Sequence, residues 1–287
     1  MINDLLNRAI SAMNKAGFEV IEFSSKYRQR VTPLKLKVMP VDDVPGDLGY
    51  KPGKANTAEK GNRAPGETRD LTRYLGASDW RHAFKAVQDY IRTAPAEAVE
   101  NFNFGDFIRV SFDVPAASYD GLDFPARHIE SKVQLVEVTE NGKALFNFED
   151  IIFRSAINAK DTNKGGFSES ALAKYLNTDF LNAMDISDLL LENNDGLEIT
   201  LPTATELFGD GEYWEPESNF YDEPFQLSFF SQIKNRIKVW EDDTHWYWTS
   251  SASASSAANF CTCSHYGHSY YYGASEVGGV APGFCVA

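Results

Sequence analysis

The sequence predicts an α+β fold. Three observations carry the prediction: an amphipathic helical stripe, strand-length apolar runs, and short helix signals scattered among them in a chain rich in aromatics and loop. At 287 residues the chain suffices for one large domain or two modest ones. A hydrophobic fraction of 43% with 24% charged residues is globular rather than disordered composition. No repeat of about 20–50 residues is visible, which sets solenoids and propellers aside.

The first 70 residues read as a small N-terminal segment. Ile2, Leu5, Leu6, Ala9, Ile10, Met13 and Ala16 recur at helical spacing, Gly17 ends that helix, and 18–23 resembles a short strand. Four prolines and five glycines over 40–68 cannot continue a helix or a central strand, so this stretch reads as a linker. Residues 1–40 either dock onto a partner or a second copy of the chain, or pack on their own domain. They lack a continuous apolar stretch, so no signal peptide is expected, and no window approaches the roughly 18 apolar residues of a membrane span.

The main domain is expected over 71–287. Ser78 is the expected N-cap of a helix whose core stripe is Trp80, Phe84, Val87 and Ile91, with Pro95 stopping it. Strands are expected at 107–114 and 132–139. Asn141-Gly142 then predicts a hairpin, because that pair accepts the positive φ of a type I′ turn. Residues 168–177 form a short helix with Leu172, Tyr175 and Leu176 inward. Thr203 and Glu206 have capping-box spacing, and Ile233 and Ile237 suggest a further short helix before the tryptophan-rich run 240–248.

The net charge of −14 excludes a non-specific nucleic-acid binder, which needs Lys and Arg to neutralise phosphate. The charge is uneven: +4 over 1–40, −1 over 41–100 and −17 over 101–287. No Lys or Arg follows Lys238. There the chain interleaves a framework of aromatic, small and Cys residues with a run from 262 to 278 built almost wholly of Thr, Ser, His, Tyr, Gly, Ala and Cys. Such a mixture is poor core material, since its polar groups need partners when buried. It suits recognition, because Tyr offers large amphipathic contact area at low entropic cost while Ser and Gly adapt around it. The competing reading is the exposed face of a twisted sheet with Gly-Ser loops.

The motifs YWTSSA at Tyr247–Ala252, NFC at 259–261, Gly267, Ala274-Ser275 and GVAPGFC at 279–285 resemble the variable region of diversity-generating retroelement target proteins. Upstream, YLNTDFL at 175–181 and LPTATELFG at 201–209 are similar to the related bacterial and phage domains. The resemblance covers about 71–287, most specifically the last 45 residues, and nothing in 1–70. It implies a C-type-lectin-like fold of the formylglycine-generating-enzyme type, with short helices and twisted antiparallel strands, and a variable region over about 247–287. It also implies a family mechanism in which template adenines are randomised, so that an Asn codon reaches Ser, Thr, His, Tyr, Gly, Ala, Cys or Val but not Lys, Glu or Trp. Sixteen of the seventeen residues over 262–278 lie in the reachable set; Glu276, the exception, is reachable from a Lys codon.

The resemblance therefore implies that Ser255, Thr262, Ser264, His265, Tyr266, His268, Tyr270, Tyr271, Tyr272, Gly273, Glu276 and Gly278 are variable, ligand-binding positions. It implies an unvaried scaffold of Trp246, Trp248, Phe260, Cys261, Gly279, Pro282, Gly283, Phe284 and Cys285. The implied partner is a protein or surface ligand, with neither nucleic acid nor membrane insertion, and the implied location is the cytoplasm or a phage virion. With Glu276 its only formal charge, such a face is expected to bind with weak salt sensitivity.

Other chemistry fits less well. Cys261, Cys263, His265 and His268 are four metal-type ligands within eight residues, but three sit in the mutable run, so neither zinc nor any other cofactor is predicted. Cys261 and Cys285 are expected as paired buried thiols in a cytoplasmic setting, oxidised on an extracellular route. Glu215-Pro216-Glu217 and Trp240-Glu241-Asp242-Asp243 depart from the calcium-dependent sugar motifs of lectins. A cysteine-dependent oxidase on the resembled fold would need an electropositive thiol environment, which the tail lacks, so no enzyme is expected. The remaining alternative is an adhesive or structural module without diversification.

Overall fold

A computed structural model describes residues 68–287. The helix expected at 2–16, the strand at 18–23, the linker up to 67 and the docking role of 1–40 lie outside the described residues.

The chain is mixed α and β, with few helices. Helix α1 (Leu71–Tyr74) leads to α2 (Trp80–Thr93), capped by Asp79 rather than Ser78: the Asp79 carboxylate accepts the His82 amide. Its stripe of Phe84, Val87 and Ile91 is fully buried. Pro95 ends α2 but also opens α3 (Pro95–Asn101), where its missing N–H falls among the donors a first turn leaves unsatisfied anyway.

Strand β1 (Phe107–Val114) matches its expected bounds, with alternate residues buried. A small hairpin, β2 (Ala117–Tyr119) and β3 (Leu122–Phe124), precedes β4 (Arg127–Val138), which starts earlier than expected. β4 turns into β5 (Ala144–Phe148) through a five-residue loop in which Gly142 alone takes positive φ. Asn141 does not, so the turn is not type I′; Thr139 and Lys143 close it instead through the Thr139 amide and hydroxyl. β6 (Phe153–Ser155) follows. Helix α4 (Ala171–Tyr175), a π turn (Leu176–Phe180) and α5 (Leu181–Met184) form one helical run that buries Leu172, Tyr175 and Leu176. Strands β7 (Leu190–Leu191) and β8 (Ile199–Thr200) lead to α6 (Ala204–Phe208), which carries both bonds of the capping box between Thr203 and Glu206. Two 3-10 turns, Ser228–Ser231 and Ile233–Arg236, replace the helix expected near Ile233.

The remainder is β9 (Lys238–Trp240), β10 (Asp243–His245), β11 (Tyr247–Ala252), β12 (Asn259–Cys263), β13 (Ser269–Gly273), β14 (Gly278–Val280) and β15 (Gly283–Val286). One sheet is antiparallel, ordered β1-β4-β5-β15-β7, with β8 also on β15. The other is ordered β13-β12-β11-β14-β6 and is antiparallel except where β11 and β14 run parallel.

The two sheets meet through 278–286. β14 belongs to one and β15 to the other, and Asn147 grips the crossing by donating to the carbonyls of Ala281 (3.1 Å) and Pro282 (2.8 Å). β5 and β15 are buried on both faces. Phe146 and Phe284 meet Phe84 of α2 edge-on at 5.1 and 5.4 Å, while Leu145 and Cys285 face a second cluster with Leu207, Leu227 and Phe230. Each such side chain contributes about 1.5–3 kcal/mol on burial. This double burial explains why the GVAPGFC segment reads as nearly continuous apolar sequence.

Candidate ligand-binding surface

The hairpin β12–β13 carries most of the expected variable positions. Five residue pairs hold it in register, from Asn259 opposite Gly273 to Cys263 opposite Ser269. β13 is an edge of its sheet. β12, between β11 and β13, is buried on both faces, whereas β13 at the edge leaves its side chains at the margin.

The inward set is the framework. Phe260 and Trp248 are fully buried, and the Trp248 indole N–H donates to the Ser155 carbonyl at 2.9 Å. Cys261 packs with Ala204 and Trp214, and Cys263 with Tyr247 and Phe230. Gly279, Pro282, Gly283, Phe284 and Cys285 are buried too, while Trp246 is half-buried. All three thiols are free. Cys261 and Cys285 belong to different clusters and do not pair, contrary to expectation. Burial pushes the thiols of Cys261 and Cys285 up to about 12 and that of Cys263 to about 11.

The outward set is aromatic. Tyr266, Tyr270 and Tyr271 are 67%, 54% and 41% exposed, joined by Tyr213 at 49%. The rings of Tyr270, Tyr271 and Tyr213 form a continuous tract with Tyr272 and Trp246, while Tyr266 packs on His265 instead. Tyr272 stacks on Trp246 at 4.3 Å, Tyr270 lies 5.2 Å from Tyr272 and 5.3 Å from Tyr271 with nearly parallel planes, and Tyr213 lies 6.1 Å from Tyr271. Ser255, His265, His268 and Glu276 are exposed; Ser264 and Tyr272 are half-buried. The hairpin tip is closed by the Gly267 amide on the Ser264 carbonyl (2.9 Å) and the His268 amide on the Ser264 hydroxyl (3.1 Å). Gly267 has φ +79° and abuts Ile233, so this turn excludes a side chain there.

Three expected display positions are corrected. Thr262 is fully buried, with its hydroxyl unpartnered among the described residues, because β12 lies between β11 and β13 and is covered on both faces, even though Thr262 shares a face with its register partner Tyr270. Gly278 is buried, and a Cβ there would lie 2.2 Å from the Trp246 ring and 2.7 Å from Trp248 Nε1. Gly273 presents no side chain, and its Cβ direction is taken by the Asp161 carboxylate at 2.6 Å.

Several supporting residues went unanticipated. Asn163 donates to the carbonyls of Ser256 (2.8 Å) and Asn259 (3.0 Å), which shapes the β11–β12 loop that bears Ser255. Asp161 accepts from both the Ser275 hydroxyl (2.7 Å) and amide (2.9 Å), and these bonds hold its carboxyl below the ordinary range. The Tyr213 carbonyl accepts the Ala254 amide at 2.8 Å, while neighbouring Trp214 is buried and donates to Thr205 at 3.1 Å. Asn163 and Asp161 sit in a turn-like DTNKGG stretch, but nothing local reveals partners about 90–114 residues away.

Chemically the surface offers ring faces, hydroxyls and two imidazoles. Cys261 and Cys263 point inward while His265 and His268 are exposed, so the four do not converge; among the described residues no group of three or more His, Cys, Asp or Glu is placed to hold a metal. No helix among the described residues is long and apolar enough to cross a membrane. Comparison of the chain with protein-family models, with curated proteins and with solved structures found no match.

Proposed function

We propose that this protein captures a protein or surface ligand through the β12–β13 tyrosine tract, and that the tract is diversified by adenine-directed retroelement mutagenesis on a C-type-lectin-like scaffold of the formylglycine-generating-enzyme type. The observation that carries the reading is the division of the stretch 246–285 into two roles. Residues the family pattern leaves unvaried, such as Trp248, Phe260 and Cys261, are fully buried, whereas Tyr266, Tyr270, Tyr271, His265, His268 and Glu276 are exposed. A rigid platform lets displayed side chains change without unfolding the domain, since surface substitutions away from special features usually stay within about 0.5 kcal/mol. The curled antiparallel sheets and few helices are compatible with the proposed fold.

A binding role is favoured over an oxidase because all three thiols are buried and raised, and a thiol must ionise to attack. The test lies in neighbouring DNA: a reverse-transcriptase gene and a near-copy of the last stretch of coding sequence, differing mainly at adenines. Its absence, together with no clustering of isolate differences between residues 253 and 278, refutes diversification. The fixed adhesive module then becomes the better account.

A further inference from the structure

The sequence places one formal charge, Glu276, in the tail after Asp243, but the folded surface is more acidic than that. Tyr213 extends the tract from a different part of the chain, and Glu212 beside it is exposed. The segment is pinned there by the Ala254 amide on the Tyr213 carbonyl and by buried Trp214. Asp161 reaches the other end through Ser275 and Gly273. Asp161, Glu212 and Glu276 make no ion pair with a described residue. The basic groups nearby are Lys160 and Lys164, which flank Asp161 in sequence, and Arg154, on the far edge strand β6, which donates to the Val277 carbonyl at 2.9 Å. Residues 101–287 carry a net −17, so the wider field is negative as well.

Exposed tyrosine faces rimmed by carboxylates that form no ion pair among the described residues complement a cation. A guanidinium or ammonium over a ring is attracted by its quadrupole, and the carboxylates add Coulomb attraction. We infer that the tract takes a basic segment of a partner protein, with Arg or Lys side chains seated over Tyr213, Tyr270 and Tyr271 beside Glu212, Asp161 and Glu276. This rests on reading the tract as the ligand-binding face. It also replaces the weak salt sensitivity expected from the tail's composition with a marked one, because the rim comes from segments distant in sequence.

The experiment uses the full chain and fluorescein-labelled ten-residue peptides alternating Gly with Arg, Lys, Ser or Glu, read by anisotropy at low and high NaCl. The Arg peptide is expected to bind at least about tenfold more tightly than the Ser peptide and to weaken with salt. Binding is expected to fall about tenfold in a Tyr270→Ala/Tyr271→Ala variant, and several-fold in Glu212→Gln/Glu276→Gln. Equal binding by the tyrosine variant means a diffuse acidic surface and overturns the inference, as does a preference for the Ser or Glu peptide. A random-peptide library panned on the same protein separates the two readings. Tyrosine-dependent binders without Arg or Lys sink the inference and keep the binding face; no tyrosine-dependent binder at all sinks both.

Discussion

Tyr272 lies against Trp246 with ring centroids 4.3 Å apart and 28° between planes, and Trp246 in turn meets Trp248 edge-on at 5.1 Å. The displayed edge strand is thereby clamped to the interior by aromatic contact as well as by its backbone pairs. Trp246→Ala is expected to cost about 1–3 kcal/mol in chemical denaturation, whereas Tyr270→Ala stays within about 0.5 kcal/mol. Equal costs would contradict the division between framework and display.

Gly278 lies in the variable stretch yet has no room for a side chain. Gly278→Ser forces the Trp246 ring and the Trp248 indole to shift, and overpacking of this kind costs about 1–3 kcal/mol. Tyr266→Ser and His268→Ser, both at exposed sites, should leave the melting temperature nearly unchanged. A freely tolerated Gly278→Ser would show that the Trp246 packing is looser than described.

Thiol chemistry gives a third check. Cys261, Cys263 and Cys285 are buried and raised to about 12, 11 and 12, so a disulfide reagent should label none of them rapidly in the native protein. All three should react once guanidinium unfolds the chain. A single fast native thiol would revive the oxidase reading.

Stability should pass through opposing pH windows. Glu137 is buried with neither carboxyl oxygen well satisfied among the described residues, and burial, opposed by the Val138 backbone N–H, raises it from 4.5 to about 8. The unfolded chain releases this proton first, so the contribution of Glu137 declines as pH rises from 4.5 to about 8. Lys238 is lowered by burial from 10.5 to about 8, and its ammonium donates to the carbonyls of Phe148 and Glu149. There the folded state loses its proton first, so its contribution rises with pH between about 8 and 10.5. Denaturation midpoints across pH for wild type and Glu137→Gln test this: the variant should lose the lower falling limb. An unchanged profile would mean that Glu137 is solvated or paired.

Legibility followed the range of the interaction. The α2 stripe, the β1 bounds and the capping box were readable because each depends on residues within a few positions. The β4–β5 hairpin was readable from Asn141-Gly142, but its turn type was not, since the type I′ preference yielded to closure by Thr139. Pro95 stops α2 as its sequence predicts, while the restart of a helix on Pro95 itself has no separate signal in the sequence. In the tail, the split between interior and edge residues was largely visible as composition. The burial of Thr262 and the crowding at Gly273 and Gly278 are not in the residue types, which do not reveal that β12 is a covered central strand or that Asp161 and Trp246 are near.

Local chemistry in the chain was enough for an α+β class, an aromatic and almost uncharged tail, and a framework interleaved with recognition residues. Tertiary contact alone brought Tyr213 to the β13 edge, assigned Asp161 and Asn163 their supporting roles, and buried Thr262 and Gly278. The physical reason is range: side-chain chemistry and periodicity are encoded within a few residues, while the charge and shape of a surface depend on which distant segments the sheets bring side by side.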